Sequence, residues 1–131
     1  MQKYNRFGRI CFLWVPVIIW AGLIFYFSSI PYLKTELEYD FLLRKTAHAA
    51  EYFIFTLLLY RAIKGSYYVN DFHLIVYPAS LSLLYAASDE LHQSFVMGRS
   101  ASIRDVLIDA IGVACFYMLV RVIAAMKKKF L

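Results

Sequence analysis

Four long apolar stretches dominate the chain, and the connections between them are short and polar. From Ile10 to Leu33 no residue is charged, and roughly 20 apolar residues suffice to cross the hydrocarbon core of a bilayer. A first helical span is predicted over residues 10–30, closed by Pro31. A second covers 41–63, with Asp40 as its N-cap and Gly65 as its stop. A third runs over 71–97 from Asn70 or Asp71, with Gly98 as the left-handed residue just past its end. Pro78 either kinks this span or marks its true start. A fourth covers 102–126, opening at Ser102. No repeat, Ser/Gly-rich linker or soluble segment interrupts them. The expectation is an all-α polytopic membrane protein, a bundle of four transmembrane helices forming a single integral membrane domain over residues 1–131.

Composition supports the bilayer as solvent. The chain is 62% hydrophobic and 18% aromatic, more than a domain of this size can hide from water. Lys3, Arg6 and Arg9 ahead of the first run imitate a signal peptide. That run is too long for one and lacks a small-residue cleavage site, so it reads as a retained span. Cys11 and Cys115 fall within apolar runs and read as packed free thiols. The net charge of +5 is dispersed between spans and ends in Lys127, Lys128 and Lys129, a pattern suited to anionic lipid and not to nucleic acid. With the N-terminus inside, nine of the 14 Lys and Arg residues lie on the cytoplasmic side and five outside. The positive-inside rule therefore places both termini in the cytoplasm. Tyr26, Tyr32, Tyr67 and Tyr68 read as interfacial anchors, and Arg121 with the terminal lysines as snorkelling side chains.

One region departs from this apolar background. "SDELHQSFVMGRSASIRDVLIDAIG", Ser88 to Gly112, carries four acids, two arginines, a histidine and a glutamine. In the expected topology Arg44, Lys45, His48 and Glu51 begin span two at the outer face. Asp89, Glu90, His92 and Gln93 end span three there, and Asp105 and Asp109 begin span four. Ser28 and Ser29 close span one at the same level. At about 100° per residue, His48 and Glu51 lie about 60° apart and Asp105 and Asp109 about 40° apart. Asp89 shares a face with His92 and Gln93, while Glu90 points about 100° away from it. Gly112 extends the Asp105–Asp109 stripe into a smooth patch for close helix approach. An ionisable group at the bilayer centre costs about 2.5–3.5 kcal/mol, so the stripes are expected to face one another around an outward-opening polar pocket. Two plainer roles compete. "SIRD" at Ser102 to Asp105 fits a capping box, and the whole cluster could be a salt-bridge network that only docks helices.

The chemistry available is broad. Arg44, Lys45 and Arg99 suit a phosphate or carboxylate ligand. His48 or His92 beside Glu51, Asp89 or Asp109 meets the minimum for acid–base catalysis. Ser94 and Ser100 lack the turn signature of a nucleophile. No cofactor is expected. A divalent metal is a minor alternative, because His48-x-x-Glu51 is not a zinc-helix spacing and the nearby cations oppose one.

"RKTAHAAEY" at Arg44 to Tyr52, the Ser88–Gly112 block and the "FSSIP" closing span one together resemble the VanZ-like family of small bacterial membrane proteins. The resemblance covers nearly the whole chain. It implies that Arg44, Lys45, His48, Glu51, Tyr52, Asp89, Glu90, His92, Gln93, Gly98, Arg99, Asp105, Asp109 and Gly112 are motif positions. The family's founding member is associated with low-level resistance to the glycopeptide teicoplanin, so the resemblance implies a role in the bacterial cytoplasmic membrane and cell envelope. The expected partners are the bilayer and a lipid-linked peptidoglycan precursor or related anionic headgroup, with an oligomer compatible. An intramembrane hydrolase or transferase and a structural or assembly protein are the competing readings.

Overall fold

The computed structural model describes residues 5–31, 39–99 and 101–129. Lys3, Tyr32 and Ser100, singled out above, lie outside them. Four helices follow in order: α1 (Arg6–Ser28), α2 (Asp40–Ser66), α3 (Asp71–Gln93) and α4 (Ile103–Lys129). Two of them, α1 and α4, are long and apolar enough to cross a membrane. They are also among the least buried, exposing Phe12, Ile18, Ile19, Ile111, Met118 and Val122. A core helix of a soluble protein would hide such faces.

α2 is the axis of the bundle, packed against all three other helices, whereas α1 and α4 do not touch. Its buried face carries Tyr52, Phe55, Leu59 and Ala62, which cluster with Leu13, Val17 and Ile24 of α1, Ala86 of α3 and Val113 of α4. Polar side chains fasten the seams. Thr56 and Ser82 share a buried hydroxyl–hydroxyl bond of 2.9 Å between α2 and α3. Trp20 donates to the Glu51 carbonyl at 3.0 Å, and the Tyr85 hydroxyl donates to the Ala21 carbonyl at 2.7 Å. Such interhelical hydrogen bonds serve where apolar burial discriminates poorly between partners.

At Gly112 the backbones of α2 and α4 come together. A Cβ there would collide with the Ala49 carbonyl oxygen and lie 2.9 Å from its carbon and 3.1 Å from the Phe53 nitrogen. The smooth patch expected beyond Asp109 is thus a helix contact.

The helix ends depart from expectation in several places: α2 has Tyr39 as its N-cap, with Asp40 already in its first turn, and runs through Gly65 to Ser66. α3 stops at Gln93, not Met97, because residues 94–98 turn away from the axis. Gly98 does adopt a left-handed φ of 78°. It does so inside a turn closed by Arg99 N–H donating to the Val96 carbonyl at 3.1 Å, not as the cap of α3. Pro78 lies within α3, whose start is set by the Asn70 side chain accepting from the His73 N–H at 2.9 Å. Proline withholds a hydrogen bond from the carbonyl four residues earlier. The Tyr117 hydroxyl of α4 compensates locally, donating to the Ile75 carbonyl at 2.7 Å and lying 3.5 Å from that of Leu74.

α4 begins on Ser102, whose hydroxyl accepts from the Arg104 N–H at 3.2 Å. The capping box is not completed by Asp105. Ser102's own N–H donates instead to a Glu90 carboxylate oxygen at 2.8 Å, which leaves Asp105 available to another helix.

Cys11 and Cys115 are both free, but Cys115 is exposed on α4 and not packed as expected. Tyr26, Tyr67 and Tyr68 are exposed, as anchors would be.

Candidate functional site

The up-and-down order brings the C-terminal ends of α1 and α3 together with the N-terminal ends of α2 and α4. Each helix delivers its charged or hydroxyl residues to this end because sequence position fixes height along a helix, at about 1.5 Å per residue. Asp89, Glu90, Gln93, Asp105 and Asp109 are all buried there, and so is Ser28. A surface cluster of acids would not be; these are turned inward.

At the mouth, Phe27, Ser28, Arg44, Ala47, His48, Glu51, Gln93 and Arg99 line a cleft of about 70 Å3. That is far below the few hundred Å3 of an ordinary small-molecule pocket, so it admits the charged tip of a ligand and not its body. Gln93 is held between α1 and α3, its amide donating to Ser28 Oγ at 3.1 Å and to Asp89 at 2.9 Å. Arg99 reaches back over the end of α1, donating to the Phe27 carbonyl at 2.7 Å and the Ile30 carbonyl at 3.3 Å. These carbonyls lie at the C-terminal end of α1, where a cation is favoured. Burial, with Arg44 nearby, lowers the Arg99 pKa from its ordinary value, but a guanidinium remains charged at physiological pH.

The other two cations are also engaged. Arg44 Nε lies 2.9 Å from Asp40. Lys45 forms an ion pair with Asp105, joining α2 to α4.

Beneath the cleft the arrangement changes character. His48 Nδ1 lies 3.3 Å from Asp109 Oδ1, close enough for an ion pair but misaligned for a hydrogen bond. His48 Nδ1, both Asp109 oxygens, Glu90 Oε1 and the Tyr52 hydroxyl are buried without a hydrogen-bond partner. His48, Glu90 and Asp109 each offer a donor atom within 4.8 Å of the others. Buried polar groups are normally satisfied, so this cluster is held together by the fold without satisfying itself.

His92 is placed elsewhere. It stacks on Phe25 with ring centroids 4.4 Å apart, and its Nε2 lies 2.9 Å from Ser29 Oγ. Ser29 Oγ also donates to the Phe25 carbonyl at 2.7 Å. Its proton is therefore committed to the backbone, and the His92 ring serves as donor in an α1–α3 fastening. This is not an activated serine. Ser94 likewise spends its hydroxyl on the Leu91 carbonyl at 2.6 Å.

Sequence reasoning thus gathered the right helix ends but sorted two residues differently. Glu90, 100° off the Asp89 face, points to α4 and joins the deep cluster, while His92 leaves it. Tyr52 was a motif position without an assigned role. Its spacing of four from His48 already placed it one turn deeper on the same stripe.

Comparison with known proteins adds one match. Residues 12–124 match the family model described as VanZ/LLP1. No curated protein and no solved structure matches the chain.

Proposed function

The chain belongs to the VanZ/LLP1 family, and from that membership and its two membrane-competent helices we propose a multi-pass protein of the bacterial cytoplasmic membrane. All four helices span it, with both termini in the cytoplasm. α2 and α3 supply the interior of the polar end, where Asp89 and Glu90 are buried under neighbouring helices and not exposed to lipid. The polar end faces outward, following the distribution of Lys and Arg.

In this setting the cleft recognises the anionic headgroup of a lipid-linked envelope precursor, peptidoglycan precursors being the class that glycopeptides also engage. The single observation that carries this reading is the convergence of Arg44 and Arg99 with His48, Glu51 and Gln93 on one small opening. Guanidinium groups recognise phosphate and carboxylate by paired hydrogen bonds, and a headgroup-sized opening leaves the acyl chain in the bilayer. Occupancy would alter how the precursor meets a glycopeptide without altering its chemistry.

Binding of a polyprenyl diphosphate-linked precursor to the purified protein in nanodiscs tests this. Losing one charged hydrogen bond costs about 1.5–3 kcal/mol, so Arg44→Gln should weaken binding roughly ten- to a hundredfold. In a susceptible bacterium the same variant should lose any protection against teicoplanin while accumulating normally in the membrane. Wild-type affinity in Arg44→Gln and in Arg99→Gln would contradict the assignment.

A second reading rests on the His48–Asp109 pair. An imidazole beside a buried carboxylate is the arrangement of a general base, and an intramembrane hydrolase or transferase acting on the same precursor would use it. Turnover of the precursor by the purified protein, lost in His48→Gln, would favour this over simple binding.

A further inference from the structure

We propose that His48, Glu90 and Asp109 form a binding site for a first-row divalent cation, Zn2+ being the best fit, at the floor of the cleft. The three residues come from three different helices, and no short sequence motif links them. Their donor atoms nevertheless lie within 4.8 Å of one another. A tetrahedral ion with bonds of about 2.0–2.1 Å holds its ligand atoms about 3.3–3.5 Å apart. The His48 Nδ1 to Asp109 Oδ1 separation of 3.3 Å already has that value, and a Glu90 carboxylate oxygen lies within 4.8 Å of donor atoms of both.

Proximity of acids alone would not suffice. The second observation is what these atoms lack. Asp109 is 1% exposed and Glu90 5% exposed, yet Asp109 Oδ1 and Oδ2, Glu90 Oε1 and His48 Nδ1 have no hydrogen-bond partner. Burying an unpaired carboxylate is costly unless a proton or a cation compensates it. Beyond His48, 3.3 Å from Asp109, the nearby cations are engaged elsewhere, Lys45 with Asp105, Arg44 with Asp40 and Arg99 with the carbonyls ending α1. Asp105 and Asp40 neutralise Lys45 and Arg44, while Arg99 keeps its charge but turns its guanidinium to the carbonyls ending α1.

Glu90 is positioned for the purpose. Its Oε2 accepts from the Ser102 N–H at 2.8 Å, which fixes the carboxylate and leaves Oε1 free to ligate. Outer contacts of this kind orient metal ligands. One imidazole and two carboxylates suit a borderline ion such as Zn2+, and three protein ligands leave a coordination position for an outside group. Because His48 also lines the cleft, that group is whatever anion the cleft admits.

The test uses the full-length protein, purified in detergent and stripped with a chelator, then titrated with ZnCl2 and CoCl2. Wild-type protein should take up about one ion per chain, and Co2+ should give visible absorption. Asp109→Asn and Glu90→Gln should each lower affinity by at least about tenfold, whereas His73→Ala, altered at the opposite end of α3, should not. Asp109→Cys supplies a check that does not depend on loss. It should add a near-ultraviolet thiolate-to-cobalt charge-transfer band. Zn2+ uptake by wild type no greater than by Asp109→Asn, or a Co2+ spectrum of Asp109→Cys without that band, would overturn the site. No lipid-linked ligand enters the titration, so its failure and a failure of headgroup binding are separate results.

Discussion

Lys45 and Asp105 illustrate how single residues at the polar end do structural work. Asp105 is buried and Lys45 half-buried, and their ion pair joins the first turns of α2 and α4. Removing one partner strands the other, which for a partly buried charged hydrogen bond costs about 1–3 kcal/mol. Removing both leaves no orphan and costs less. Lys45→Met should therefore lower the melting temperature in detergent more than Lys45→Met combined with Asp105→Leu. Equal melting of the single and double variants would contradict an energetically coupled pair. At this scale the sequence was partly legible. Asp109 stood out because it lies too deep to cap a helix. Asp105 was ambiguous between cap and partner, and the answer depended on Glu90 taking the Ser102 N–H from another helix. His92 was misplaced because helical angle gives direction but not the neighbour met in that direction.

Among the elements, α2 and α4 make the tightest approach, and Gly112 makes it possible. Alanine is favoured over glycine in a helix interior by about 1 kcal/mol. At Gly112 the new methyl would strike the α2 backbone, which yields less readily than a side chain, and overpacking of this kind costs about 1–3 kcal/mol. Gly22 of α1 has nothing within 4 Å of its would-be Cβ. Gly112→Ala should therefore melt lower than wild type while Gly22→Ala does not. Similar melting of the two variants would argue against close packing there. The number and order of helices were readable because long apolar runs broken by Pro, Gly and Asn have few alternatives. Their ends were not. Pro78 reads as a break only until Tyr117 is seen bonding the adjoining backbone, and Gly98 marks a left-handed residue without saying which turn uses it.

Across the whole molecule, charge is segregated by kind. One end of the bundle gathers the buried carboxylates and the cations engaged with them or with backbone carbonyls. The opposite end carries Arg61, stacked over Phe12 at 4.7 Å, and the exposed Arg121, Lys127, Lys128 and Lys129. Cations with room to reach the interface suit an anionic cytoplasmic leaflet, which is why the proposed orientation puts the polar cleft outside. The two ends can be told apart by accessibility. Met97, 71% exposed, lies at the polar end, and Tyr68, 110% exposed, at the other. In a background with Cys11 and Cys115 replaced by serine, a single cysteine is placed at each position in turn. A membrane-impermeant maleimide is then applied to intact bacteria. Labelling of Met97→Cys in intact cells, with Tyr68→Cys reacting only after lysis, is the predicted result. Labelling of Tyr68→Cys in intact cells while Met97→Cys stays protected until lysis would contradict an outward-facing site.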